Sequence, residues 1–138
     1  MANGKTILIV DDEAMVRRLL ASTLKRAGFS VAQASNGVQA WEWLETQTPD
    51  ALITDIDMPR MTGEELCVRI CERDPERTYP IFVVTSKTAI EHRRWSRNMH
   101  NVSFIEKPMS MRKLVEQLKA ALAGCAETSS RRTGAESG

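Results

Sequence analysis

The sequence predicts an α/β fold in which a parallel sheet carries helices on both of its faces. Two observations lead there. Five short apolar runs alternate with segments of helical period, the pattern of strands buried between crossover helices. At 138 residues the chain holds one domain, commonly ~100–200 residues, with no room for a second catalytic unit.

The first strand is read at residues 6–10. The helix after it sets Val16, Leu19, Leu20, Leu24 and Ala27 on one stripe, and Gly28 stops it. Residues 30–34 form the second strand. A helix beginning near Asn36 then turns Val38, Trp41 and Leu44 inward, and Pro49-Asp50 breaks the chain. Residues 51–54 are a short third strand that ends on Asp55. The stretch from Asp57 to Gly63 is a loop by its proline and glycine, and it opens a helix carrying Leu66 and Ile70 that Asp74-Pro75 ends. The fourth strand, 80–84, runs into Thr85 and Ser86, and a polar helix with Ile90 and Trp95 follows. Residues 103–105 make a brief fifth strand closed by Glu106-Lys107-Pro108. Ser110 is placed to cap the last helix, whose stripe is Met111, Leu114, Val115, Leu118 and Leu122. The domain is therefore expected over 1–123. Residues 124–138, rich in Ser, Thr, Arg, Gly and Glu, bury too little to order themselves and read as a disordered tail or truncated linker.

Nineteen basic and 18 acidic residues leave a net charge of +1, so no overall field draws the chain to nucleic acid or anionic lipid, and neither partner is expected. No run approaches the ~18 apolar residues of a membrane span and residues 1–6 lack a signal's apolar stretch, which gives a cytoplasmic expectation. Three cysteines argue against a disulfide framework. Cys67 and Cys71 share a helix face, but no Cys or His cluster completes a zinc site, and they read as reduced, partly buried thiols.

Ligands of an open parallel sheet bind beyond the carboxyl ends of its strands. The first strand ends in Asp11 and Asp12, the third in Asp55 with Asp57 close behind, the fourth in Thr85 and the fifth in Lys107. Carboxylates gathered at one edge repel unless a cation or a shared proton offsets them. An all-oxygen set suits Mg2+, which prefers such ligands and bridges carboxylates to phosphate. A lysine and a hydroxyl supply what a transferring phosphoryl group needs, and Asp55 is the carboxylate best placed as nucleophile. Taken singly, Asp11 and Asp12 could cap a helix, Thr85 could be a plain strand-end hydroxyl and Lys107 a solvated lysine. Asp55 follows an apolar strand and is harder to set aside, since buried ions need partners. Four strand ends bearing the complementary parts of one site decide the matter.

These residues resemble the receiver domain of bacterial two-component response regulators. The likeness covers about Lys5 to Ala123 and is carried by Ile7-Leu8-Ile9-Val10-Asp11-Asp12-Glu13, by Asp50 to Gly63 with Asp55 and Met58-Pro59, by Val84-Thr85, and by Phe104-Ile105-Glu106-Lys107-Pro108. The resemblance implies a flavodoxin-like, doubly wound (βα)5 sandwich with strand order 2-1-3-4-5. It implies that Asp55 is the phosphoacceptor, that Asp12 binds Mg2+ directly and Asp11 mostly through water, and that the main-chain carbonyl of Asp57 is a further ligand. Lys107 would pair with the acceptor, its bond to Pro108 would be cis, and Thr85 and Phe104 would be the switch pair. The expected donor is a sensor histidine kinase or a histidine phosphotransfer protein. The expected reader is a downstream protein on the face of the fourth helix, fifth strand and fifth helix, with Trp95 as an anchor.

Ser86 and Asn98-Met99-His100-Asn101 depart from the small residues relatives often hold there. Asp57 and Lys87 are placed to pair across the mouth of the site, and the fourth helix is unusually rich in His92, Arg93, Arg94 and Arg97. The competing enzyme reading is a haloacid-dehalogenase-like phosphatase using Asp55-Ile56-Asp57; against it, Asp11-Asp12 precede that motif and no length remains for a cap. A multiple-turnover enzyme is not expected, and a receiver degraded to a docking module would have lost site residues that are present.

Overall fold

A computed structural model describes residues 5–86, 93–97, 99–108 and 110–134, without the side chains of residues 93 and 124–134. β1 (Thr6–Val10), β3 (Ala51–Asp55) and β4 (Ile81–Thr85) are the most apolar stretches, and all but Thr6 of their residues are buried. β2 (Ser30–Ala34) and β5 (Val102–Glu106) are half-exposed and carry Gln33 and Ser103. Strands that tolerate water belong at edges, and the sheet order is β2-β1-β3-β4-β5 with every pair parallel. The fold is the expected flavodoxin-like one.

The pleat divides each strand between two cores. Ile7, Ile9, Ile53 and Phe82 meet Leu20 and Leu24 of α1 (Ala14–Arg26) and Leu114 and Leu118 of α5 (Met111–Gly134). Leu8, Leu52, Ile81 and Val83 meet Ala40 of α2 (Gly37–Leu44) and Leu66 and Ile70 of α3 (Gly63–Arg73), with Trp95 of α4 (Arg93–Ser96) packed alongside. Two buried faces require crossover helices on both sides of the sheet.

Local chemistry sets the helix ends. Asn36 caps α2 by accepting from the Gln39 N–H at 2.9 Å, and Thr62 with Glu65 closes a capping box at α3. Ser110 caps α5 through the Lys113 N–H at 3.3 Å. Gly28 follows α1 with φ 101°, a value glycine takes without strain.

Some expectations need correction. Leu19 is 51% exposed and lies off the buried stripe of α1. Val16, Leu20 and Leu24 recur every four residues on the sheet side, whereas Leu19 joins Met15 on a separate outward ridge. β4 starts at Ile81 rather than Pro80, since proline has no N–H for the ladder, although Pro80 still accepts from Leu52 N–H at 3.0 Å. β5 extends by one residue at each end. The helical backbone of α5 continues past Gly124 to Gly134. Lys87, Ile90, His92 and Asn98 lie outside the described residues. Cys67 is buried and Cys71 half-buried, both free, and burial pushes the Cys67 thiol up to about 12.

Candidate functional site

The ends of β1, β3, β4 and β5 meet as the parallel register requires. The Asp11 N–H donates to Ala34 O at 3.2 Å, which carries β1 one step past its last ladder residue and leaves the Asp11 carboxylate at the sheet edge. That carboxylate is buried and accepts from the Glu13 N–H at 2.9 Å, so it holds the turn into α1 without being its N-cap; Glu13 occupies that position and makes no side-chain cap. Asp12, the next residue, is exposed. Asp55, the last residue of β3, is only 5% exposed. One oxygen from each of Asp11, Asp12 and Asp55 falls within 4.8 Å of the others.

Lys107 reaches this cluster from the end of β5. Its Nζ lies 3.1 Å from Asp55 Oδ1. Its N–H donates to Thr85 O at 2.8 Å, which ties the end of β5 to the end of β4, and its bond to Pro108 is cis. Thr85 is fully buried. Val83 pairs with Phe104 and Thr85 with Glu106, so by the two-residue period Thr85 and Phe104 face the same side of the sheet on neighbouring strands. Phe104 is half-buried and meets the Trp95 ring edge-on, with centroids 5.6 Å apart and planes at 81°.

The loop after β3 folds back on the aspartate. The Gly63 N–H donates to Ile56 O at 2.9 Å, and a Cβ at Gly63 would lie 2.4 Å from the Asp55 carbonyl oxygen. Arg60 holds φ 70° within that loop, and the Thr54 hydroxyl donates to Asp55 O at 2.9 Å. The Asp57 side chain is exposed and stands outside the carboxylate cluster, which leaves the expectation for Asp57 with its main chain. The expected Asp57–Lys87 pair rests on a residue outside the described ones.

Crowding shows in the electrostatics. Burial pushes the Asp11 carboxyl up to about 6; the Glu13 N–H pulls the other way and the charges of Asp55 and Asp12 add to the rise. Burial also raises Asp55, against the ammonium of Lys107 and the Ile56 N–H. Burial alone would lower Lys107, but the Asp55 carboxylate outweighs it and holds the ammonium charged to higher pH. The Lys107 ammonium, 3.1 Å away, is the charge partner of the buried Asp55 Oδ1. Three clustered carboxylates, two of them buried, fit a hard divalent cation that prefers oxygen ligands.

Sequence reasoning located Asp11, Asp12, Asp55, Thr85, Phe104 and Lys107, and the structure brings all six to one edge or the strand pair leading to it. It missed Gly63, whose closeness to Asp55 is a tertiary fact, although a glycine where a loop turns into a helix beneath a site residue is the signal for such an approach. It also missed Arg77, buried at 2% exposure with its guanidinium donating to the carbonyls of Tyr79 and His100.

Residues 7–119 match the model of the response regulator receiver domain. The chain is 36% identical over 119 residues to the phosphate regulon transcriptional regulatory protein PhoB of Pseudomonas aeruginosa, covering 86% of this chain and 52% of that protein. It is 33% identical over 116 residues to the response regulator MprA of Mycobacterium avium, covering 84% and 50%. The chain thus spans about half the length of the curated relatives it matches. Among solved structures, a CheY-like receiver domain protein of Methanospirillum hungatei superposes with a TM-score of 0.80 at 27% identity, covering 90% of this chain and 98% of that one. The response regulator TrrA of Thermotoga maritima, solved in complex with Mg(2+)-BeF, gives 0.74 at 28% identity, covering 86% and 99%. Nothing in these likenesses supports the dehalogenase-like phosphatase. With its carboxylate cluster, its lysine and its strand order accounted for together, the chain belongs to the response regulator receiver domain family.

Proposed function

We propose that this chain is the phospho-accepting switch of a two-component or phosphorelay system and that Asp55 is the acceptor. The observation that carries the reading is the buried Asp55 carboxylate, gathered with Asp11 and Asp12 and paired to Lys107. A carboxylate oxygen of Asp55 attacks the phosphorus of a phosphohistidine on a sensor kinase or histidine phosphotransfer protein. The P–N bond breaks, and the electron pair leaves with the donor imidazole. Lys107 stands where it can balance charge on the phosphoryl oxygens, and Thr85 supplies a hydroxyl to them. The Asp11, Asp12 and Asp55 carboxylates, with the main-chain carbonyl of Asp57, would hold Mg2+, which neutralises charge between carboxylate and phosphoryl oxygens when bound. The TrrA complex with Mg(2+)-BeF supports that choice of cation.

The added phosphoryl group brings about −2 charge and strong acceptor oxygens. Thr85 is drawn towards it and Phe104 moves into the space left, which shifts a pre-existing balance on the face of α4, β5 and α5. A downstream protein reads that face, with Trp95 among its contacts. The chain acts in the cytoplasm as a stoichiometric acceptor rather than an enzyme with external substrates. Residues 1–123 form the receiver, and 124–138, into which the helical backbone of α5 runs as far as Gly134, serve as tail or linker; the composition change at Gly124 supports the division.

Incubation with acetyl phosphate and Mg2+ should add one phosphoryl group per chain by mass, and the Asp55→Asn variant should add none. Continued turnover of small phosphate esters, or labelling that survives in the variant, would overturn the reading.

A further inference from the structure

Crossover helices run back against the strands, so the carboxyl ends of α2 and α3 lie at the sheet edge opposite the aspartate cluster. There a cavity of about 230 Å³ opens, with Trp41, Leu44, Ile70, Arg73 and Tyr79 in its lining. Ile70 and Tyr79 are core residues and make an apolar floor, Trp41 and Leu44 are half-buried walls, and Gln47, Thr48 and Asp74 complete a polar rim. Two guanidinium groups cover the Trp41 ring, Arg69 at 5.9 Å and Arg73 at 5.1 Å from its centroid. The two arginines stand one turn apart on α3 and both are exposed.

A guanidinium held over a ring is only weakly biased towards it at an exposed site, and the contact uses none of its in-plane donors. Among the described residues no carboxylate pairs with either arginine. The pair therefore presents donors without a carboxylate partner among the described residues, beside a hollow with an apolar floor and a polar rim. The hollow is smaller than the ~300–1,000 Å³ of a drug- or cofactor-sized pocket and suits one large side chain. Trp, Tyr and Arg grouped around such a hollow are the residues that carry binding energy at protein interfaces.

We propose that this cavity docks an acidic peptide segment of a partner protein, which seats one large apolar side chain against Trp41 and Tyr79 and sets flanking carboxylates on Arg69 and Arg73. The site is separate from the phosphoacceptor edge and does not depend on its function. Asp74 also reaches the lining, and its charge opposes an acidic guest, which gives the proposal a sign.

The probe is the peptide acetyl-Glu-Glu-Phe-Glu-Glu-amide, titrated into the full chain while the indole N–H resonance of Trp41 is followed, assigned through Trp41→Phe. A saturable shift at Trp41 is expected. Arg73→Gln should weaken it about tenfold, equivalent to ~1.4 kcal/mol, and Asp74→Asn should tighten it. Equal binding of the Gln-Gln-Phe-Gln-Gln or Lys-Lys-Phe-Lys-Lys counterpart would overturn the proposal. So would unchanged affinity in Arg73→Gln or the absence of a saturable shift. Phenylacetate binding as tightly as the peptide would overturn the protein partner. Should Arg73→Gln fail to fold, the peptide comparison on the unaltered chain still decides.

Discussion

Gly63 lies so close to Asp55 that a Cβ on it would come 2.4 Å from the Asp55 carbonyl oxygen and 2.9 Å from the Ile56 Cα. The first residue of α3 is thereby pressed against the backbone that presents the acceptor, with backbone atoms that cannot swing aside. Gly63→Ala gains helix propensity, about 1 kcal/mol at most. The clash should prevail, at about 1–3 kcal/mol of lost stability. Urea unfolding should show a lower midpoint, and the phosphorylation rate should fall as Asp55 shifts; an unchanged midpoint would mean that the loop has slack the structure does not show.

The contrast between Gly63 and the strands marks what the sequence could reveal. β1, β3 and β4 were legible because strands buried on both faces must be apolar throughout, and their ends named Asp11, Asp12, Asp55 and Thr85 directly. Leu19 misled, because helical spacing ranks faces but does not say how wide a stripe the sheet will cover. Gly63 and Arg77 were harder to read for a different reason. Gly63 owes its role to the loop folding back on Asp55, which its place at the loop-to-helix turn signals only in general, and Arg77 owes its role to the His100 backbone far along the chain, which no local pattern encodes.

Lys107 is the cation beside the buried Asp55 carboxylate, at 3.1 Å. Lys107→Ala leaves burial unopposed except by the Ile56 N–H, so the Asp55 carboxyl should titrate at higher pH than in the unaltered chain. Carboxyl-carbon NMR titration of Asp55 reads this directly. An unmoved titration would assign the contact no electrostatic weight. Acceptance from acetyl phosphate should slow by at least about tenfold, the scale of losing one stabilising charge in a transferring site.

The cation-free protein should lose stability as pH rises from about 4 to about 6. Asp11 has its carboxyl raised from 3.8 to about 6 in the folded chain, so between those values the folded state binds more proton than the unfolded state. Stability must then fall with rising pH across that window, and Asp55, also raised, pushes the same way. Mg2+ competes with those protons, so its stabilising effect should grow over the same range. Urea midpoints with chelator and with Mg2+ check both signs. Asp11→Asn should flatten the chelator curve, and a chelator curve that rises through the window would contradict the assignment.

Trp95 and Phe104 make a test of the switch that needs no partner. Their edge-to-face contact joins α4 to β5, and Phe104 shares a sheet face with Thr85 on the adjoining strand. A phosphoryl group that draws Thr85 towards Asp55 must change the space beside Phe104, and a ring that rotates there takes its edge away from Trp95. Such a contact is worth about 0.5–1.5 kcal/mol, enough to bias a balance between two states without locking either. Indole emission from Trp95 should therefore shift when beryllofluoride and Mg2+ are added, measured in a Trp41→Phe, Trp43→Phe background. Phe104→Leu should remove most of that shift while leaving phosphoryl uptake by Asp55 intact, because the ring packs on Trp95 of α4 and stands outside the carboxylate cluster. A shift that persists in Phe104→Leu would place the moving element elsewhere.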